Sequence, residues 1–558
     1  MGQGTETGST ARQVIVYLGY LFGAVALLLV LTFGFLFIAP GTSLFGVTSI
    51  SSRQEYTKYS VDENPTLKKA LHWRNIIIES NFIDVEVRVR NVEQDDEGSI
   101  VVWEEGISGL TFNSVKRTHI EWSQVIVQRF DDNGAFIASE LYYKIKVIEP
   151  QGMVSRSSKN EVYINMYATD TGGEVSTPFN FILNTGSSNV RFASDDDCKL
   201  FENPLYVDKL EIQNASGTIY LPPKNHNSFY VEVGEVSVNS RSVKVNCESP
   251  VSRGVNINCA GTGSFTFRSI GGGIEGGDLN VKGGTNSVSV VSVGGDVNLQ
   301  GARVNFTQKP GNVDGKIDGN VRFEADSGAL SIARCTNLYM RTKNANAAVT
   351  GTISNLDYEA TGSGGVNINQ VNGGSTAHVV TINGGVTIRN VWVNTDVETR
   401  SGGIVVEFAA GAVGLGFAPT LTINAYDGSV SAKNICGTAN ITVAALGNAV
   451  VNAHFARVVD DCEINYIGSY NPTYNKGQIT VSLPKAIDYF ILWVDRTAST
   501  YNKTNPTMLR DFNSYEPIAY NVTLNNNTAY RVNWTSGGGD STGNLHVSTS
   551  NRVTVTSV

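Results

Sequence analysis

Charge is scarce in this chain. Only 17% of its residues are Asp, Glu, Lys or Arg, against about 25% in ordinary soluble domains. Between Arg12 and Arg53 there is no charged residue and no His. Basic clusters interleaved with aromatics are missing, and 42 Lys plus Arg against 51 Asp plus Glu leave a net charge of −9. A polyanion is repelled rather than gathered by such a chain, so nucleic acid is excluded as a partner. The six histidines, His72, His119, His226, His378, His454 and His546, are scattered without metal-ligand spacing. There is no Cys-x-x-Cys, P-loop or dinucleotide fingerprint. No cofactor, metal ligand or catalytic residue is assigned.

The gap is filled by Gly, 57 of 558 residues, together with Asn, Ser, Thr and Val. β-branched residues suit a pleated surface, and Gly and Asn tolerate the positive φ of tight turns. The composition predicts an all-β chain, long enough for several domains or one elongated array.

The charge-free segment opens with a predicted transmembrane helix over residues 14–38, after a short tail (1–13) and before a linker (39–70). At ~1.5 Å per residue about 20 apolar residues cross a ~30 Å hydrocarbon core. A cleaved signal peptide normally has a shorter apolar region, about 7–15 residues, and a small-x-small site, so retention as an anchor is favoured. Gly19 and Gly23 form a G-x-x-x-G pair of the kind that lets membrane helices approach, although Gly is common in such segments. Position 6 is Glu rather than Ser or Thr, which argues against N-myristoylation. Arg12 on one side and Arg53 with Lys58 on the other give little positive-inside bias. Orientation therefore leans on the cysteines.

Cys198, Cys247, Cys259, Cys335, Cys436 and Cys462 all lie C-terminal to the anchor. An even number outside any zinc-finger spacing fits either disulfides in an oxidising compartment, with Cys247 to Cys259 the first choice, or buried thiols. Seven N-x-S/T sequons, at Asn214, Asn305, Asn440, Asn502, Asn521, Asn526 and Asn533, are compatible with a glycosylated ectodomain. The expected topology is a single-pass protein of the plasma membrane or cell envelope, with the N-terminus cytoplasmic and the β region extracellular.

Residues 71–193 alternate apolar and charged positions, as in Val85-Glu86-Val87-Arg88-Val89, and predict a membrane-proximal β domain or the first rungs of a solenoid. From 194 to 462 the rhythm changes. Gly276-Gly277-Asp278-Leu279-Asn280-Val281 and Gly294-Gly295-Asp296-Val297-Asn298-Leu299 begin 18 residues apart. Gly364-Gly365-Val366-Asn367-Ile368, Gly384-Gly385-Val386-Thr387-Ile388 and Gly402-Gly403-Ile404-Val405-Val406 continue at spacings of 20 and 18. A period near 20 predicts a parallel β-solenoid, with inward Val, Ile and Leu alternating with outward Asn, Thr and Ser. An antiparallel sandwich with Gly-marked turns is the competing architecture. Residues 463–558 turn aromatic and predict a β cap or a small β-sandwich.

These Gly-Gly-x-Val-x-Ile rungs resemble the adhesin family of β-solenoid domains found on surface and envelope proteins, over about residues 70–460. The resemblance implies a repetitive β scaffold and carries no catalytic residues.

Few segments hold groups suited to chemistry. Gly539-Asp540-Ser541-Thr542-Gly543 matches G-x-S-x-G, but no acid lies beyond it and no strand-to-helix turn is expected there. Asp195-Asp196-Asp197, Asp460-Asp461 and the pair Asp314 and Asp318 are the acidic groups that a polysaccharide lyase or hydrolase would need. Asp278 and Asp296 occupy matching repeat positions and are expected to satisfy turn amides rather than hold Ca²⁺. Two functions are compatible with this pattern: a non-catalytic, membrane-anchored surface scaffold or adhesin-like protein that presents its repeats to glycan or protein ligands, or a membrane-anchored carbohydrate-active enzyme on a β-helix.

Overall fold

The computed structural model is dominated by strands, as the composition requires. It describes residues 7–38, 43–44, 47–50, 54–60, 74–90, 99–104, 109–112, 118–131, 133–149, 160–167, 178–194, 205–222, 231–271, 277–308, 317–414, 418–444, 449–457, 462–467, 478–483, 489–496, 518–524, 527–535, 543–549 and 552–557. Two compact units divide the chain, Met1–Val231 and Glu232–Val558.

The first unit opens with a helix, Thr7–Ile38. Its side chains are described over residues 15–31. Among the described residues no helix is long and apolar enough to cross a membrane. Beyond it lie two parallel ladders. Phe136–Ile148, Asn75–Glu79, Phe179–Asn184 and Leu205–Gln213 pair side by side in that order. Asn160–Tyr167, Asp84–Arg90, Val190–Ser194 and Thr218–Leu221 form the second. The period of two in the sequence puts Ile76, Ile78, Val85, Val87, Phe181, Leu183, Val190 and Phe192 into the buried interior.

Several antiparallel pairs depart from this pattern, the longest of them a hairpin. His119–Phe130 returns antiparallel as Phe136–Ile148, and toward its tip Ile126, Phe130, Phe136 and Ile137 are exposed. The turn is closed by Asp131, whose Oδ1 accepts from the backbone N–H groups of Asn133 (2.9 Å) and Ala135 (2.7 Å). Gly134 there adopts φ +82°, which a glycine reaches without steric cost. Arg129 ties the hairpin to Leu205–Gln213 by an ion pair with Glu211 at 2.6 Å and also donates to the Tyr142 hydroxyl at 2.9 Å. Burial is the main reason that the Tyr142 hydroxyl is pushed up to about 12.

In the second unit, from Asn337–Thr342 to Val450–Phe455, each strand pairs in parallel with the strand two further along the chain. One column stacks Asn337–Thr342, Asn355–Ala360, Thr376–Thr381, Asn394–Thr399, Leu421–Ala425, Ala439–Val443 and Cys462–Tyr466. A second stacks Asn346–Ile353, Val366–Val371, Val386–Val391, Ile404–Phe408, Val430–Ile435, Val450–Phe455 and Gln478–Leu483. The first column runs back through Val321–Ile332, Val297–Gln308, Asp278–Lys282 and Lys244–Cys259. Inward residues lie over one another: Leu330, Ala347, Val366, Val386, Ile404 and Val430 form one buried apolar row. A slip of one residue would turn every such row to solvent, so the alternating pattern fixes the register.

The glycines of the repeat have a steric cause. A Cβ on Gly384 would overlap the carbonyl oxygen of Gly364, one on Gly402 that of Gly384, and one on Gly428 that of Gly402. Three residues before two of them, Thr381 and Thr399 are buried and accept from the N–H of Gly384 (3.1 Å) and Gly402 (3.0 Å). Thr381 also donates to the Gly364 oxygen, at 2.7 Å. Each turn is thus bonded to itself and, through Thr381, to the turn before it.

The last strands continue both columns: Gly543–Thr549 lies parallel to Cys462–Tyr466, and Arg552–Ser557 to Gln478–Leu483. Tyr489–Arg496 adds beside Gly543–Thr549 and carries an antiparallel pair, Asn527–Thr535 and Ile518–Leu524.

Candidate functional site

Outward positions of the first column form two parallel rows. In one, Arg322, Tyr339, Asp357, His378 and Asp396 succeed one another coil by coil; in the other, Glu324, Arg341, Glu359, Val380 and Glu398 do. Earlier coils hold amides at the first-row positions, Asn256, Asn280 and Asn298, and later ones Thr422 and Asn440. The charges are therefore a block concentrated over these strands, with Lys282 before them and Glu463 after them on the same rows.

Arg341 is the centre of that block. Its Nη2 donates to Asp357 Oδ2 at 2.8 Å, its Nε meets Glu359 Oε2 at 3.0 Å, and Nη1 donates to the Met340 carbonyl at 3.1 Å. The bond to Asp357, which outweighs the opposing effect of burial, raises its pKa further above the ordinary guanidinium value. Its guanidinium carbon lies 4.3 Å from the Tyr339 ring centre, and that of Arg322 lies 4.8 Å from the same ring. Such cation–π contacts contribute about 0.5–1 kcal/mol each at exposed sites. Arg322 in turn pairs with Glu324. Further along, His378 Nδ1 stands 3.1 Å from Asp396 Oδ2.

Beside Arg341 the strands leave the sheet for a turn, and an open cleft of about 530 Å3 runs across successive coils from Gly301 to Thr361. Glu324, Asp326, Arg341, Lys343, Glu359 and Thr361 line it. Gly301 ends it without a side chain, and a Cβ there would strike the Gly283 carbonyl oxygen. A smaller cleft of about 260 Å3 in the first unit is lined by Asp84, Glu86, Asn189, Arg191 and Tyr220.

Two of the acids singled out from sequence serve the turns. Asp278 Oδ1 accepts from the Asp296 N–H (2.8 Å), and Asp296 Oδ1 from the Asn320 N–H (2.7 Å), so both bond the turn of the next coil. The same column passes into an amide ladder: Asn337 donates to Asn320 Oδ1 and Asn355 to Asn337 Oδ1, each at 2.7 Å. Asp318 lies 3.8 Å from Arg334. Asp195, Asp196, Asp197, Asp314, Asp460, Asp461 and the residues 539–542 lie outside the described residues, as does Cys198.

The pairing of Cys247 with Cys259 is not formed. Cys247, Cys259, Cys335, Cys436 and Cys462 are free and buried. The cause is register: Cys247 stands opposite Phe267 and Cys259 opposite Ser240, so neither has a cysteine as ladder neighbour. Burial pushes the Cys247 and Cys335 thiols up to about 12. Among the sequons, Asn214 and Asn440 are exposed, Asn214 at φ +51°, and Asn305 is half-buried. Asn521 and Asn533 lie in strands whose side chains are not described there, and Asn502 and Asn526 lie outside the described residues.

Arg322, Glu324, Asp326, Tyr339, Arg341, Lys343, Asp357 and Glu359 were not picked out by sequence reasoning. Their signal is one of phase: Asn337-Leu-Tyr-Met-Arg-Thr and Asn355-Leu-Asp-Tyr-Glu-Ala align residue for residue, with charge where other coils carry Asn or Thr. No protein-family model, curated protein or solved structure matches the chain.

Proposed function

We propose that the chain is a non-catalytic, membrane-anchored surface scaffold of adhesin-like type, whose strands from 232 onward coil as a parallel β-solenoid that displays polar rows to glycan or protein ligands. The observation that carries this reading is the parallel register repeated from strand to strand with stacked inward rows. A stack of this kind spreads a repeated surface on which weak contacts add. The anchor reading draws support from the 32-residue helix Thr7–Ile38. Ile15, Tyr17, Leu21, Phe22 and Leu31 on it are all more than 60% exposed, and burying such side chains in lipid is favourable by roughly 1.5–3 kcal/mol each.

The test is impermeant biotin labelling and protease access on intact and permeabilised cells, read with an antibody to residues after 500. Labelling of intact cells is the expected result. Protection until permeabilisation would sink the surface assignment, and release of reducing ends from a polysaccharide panel would sink the non-catalytic one.

A further inference from the structure

We infer that the cleft between Gly301 and Thr361 is a binding site for a neutral, hydroxyl-rich glycan. The inference rests on the surface-display reading and assigns that display a ligand class. About 530 Å3 falls in the usual range of small-ligand sites, roughly 300–1,000 Å3. Five of its lining residues are charged: Glu324, Asp326 and Glu359 against Arg341 and Lys343. No large apolar side chain lines it. Arg322 pairs with Glu324 and Asp357 with Arg341, which leaves the lining with an excess of one acid, so an anionic ligand is not drawn in by net charge. A hydroxyl group is the partner such a lining suits, because it donates to a carboxylate and accepts from an ammonium group at once.

The walls are already set. Arg341 is held at three points and stacked on Tyr339, so the ligand has little side-chain motion to arrest there. Asp326 and Lys343 are exposed, and their side chains have no hydrogen-bond or ion-pair partner among the described residues. They are the groups left to engage a diol, one accepting and one donating. Gly301 keeps the near end open, since no side chain fits there.

The experiment uses the full chain in detergent on an array of neutral, carboxylated and sulfated oligosaccharides. The best neutral ligand is then titrated with wild type and with Asp326→Ala, Lys343→Ala and, as a control on the same column outside the cleft, Asn440→Ala. The expected result is neutral binding that each cleft variant weakens about tenfold or more, with unchanged circular dichroism and no effect of Asn440→Ala. Absence of neutral ligands at about 1 mM, selective retention of anionic ones, or binding untouched by both cleft variants would each overturn the inference. Cell labelling separates the two proposals: an accessible C-terminal region with a silent array removes only the glycan site, whereas a protected one removes the surface reading whatever the array shows.

Discussion

A methyl group added at either of two adjacent glycines has unequal expected effects. At Gly384 it meets a backbone oxygen that cannot step aside, while at Gly385 its nearest neighbour is the Gly403 oxygen at 3.8 Å. Overpacking of this kind costs about 1–3 kcal/mol. Gly384→Ala should therefore lower the urea midpoint clearly, and Gly385→Ala should leave it almost unchanged. Equal midpoints for the two variants would contradict the stacking of these turns. The thiols offer a second check. Cys247 and Cys335 are pushed up to about 12 from the ordinary 9.0, which means the folded state disfavours the thiolate. Their contribution to stability is complete below about pH 9 and is lost as pH rises toward 12. Melting temperature measured from pH 8 to 11 should fall across that window, and the Cys247→Ser, Cys335→Ser double variant should fall less steeply. In a Cys198→Ser background, a thiol reagent should stay silent until denaturant is added.

Elements explain how much was legible in the sequence. The Gly-Gly spacings of 18 and 20 residues reappear as the register, with Val366 on Val386 and Val386 on Ile404, because contact between turns forbids a side chain at the first glycine. Asp278 and Asp296 were readable as turn acceptors for the same reason: an oxygen at that phase reaches the next amide. The all-β expectation holds at this scale. The charged block was not legible, since Arg322, Tyr339 and Asp357 become neighbours only once the register is known. The cysteines leave disulfides and buried thiols both open in the sequence, because an even number says nothing of which residues stack; the five described are buried thiols. A coil that is a unit of register should also be a unit of deletion. Removing residues 384–401 joins Asn383 to Gly402 and keeps every inward row, so the product should retain its β spectrum and unfold with a smaller m-value. Removing 384–392 changes the phase and should yield aggregate; a folded product would contradict the register.

For the whole molecule, the proposed anchor and display make one prediction independent of any ligand. Deleting residues 1–38 should release the chain from the membrane fraction into the soluble one with its β spectrum intact, as fractionation and circular dichroism would reveal. Retention in the pellet as folded protein would mean that something other than the helix holds it there.

The parallel ladder of the second unit, if coiled as proposed, also has a mechanical meaning. Tension applied along the stacking direction of the second unit loads the contacts between successive strands in series, and the outermost, bonded on one side only, yields first. Each step frees one coil; with Gly384 and Gly402 18 residues apart, that is about 60 Å of extended chain. A single molecule stretched from its C-terminus should give a sawtooth of closely spaced, low peaks, so that the protein lengthens under load by small increments instead of failing at once.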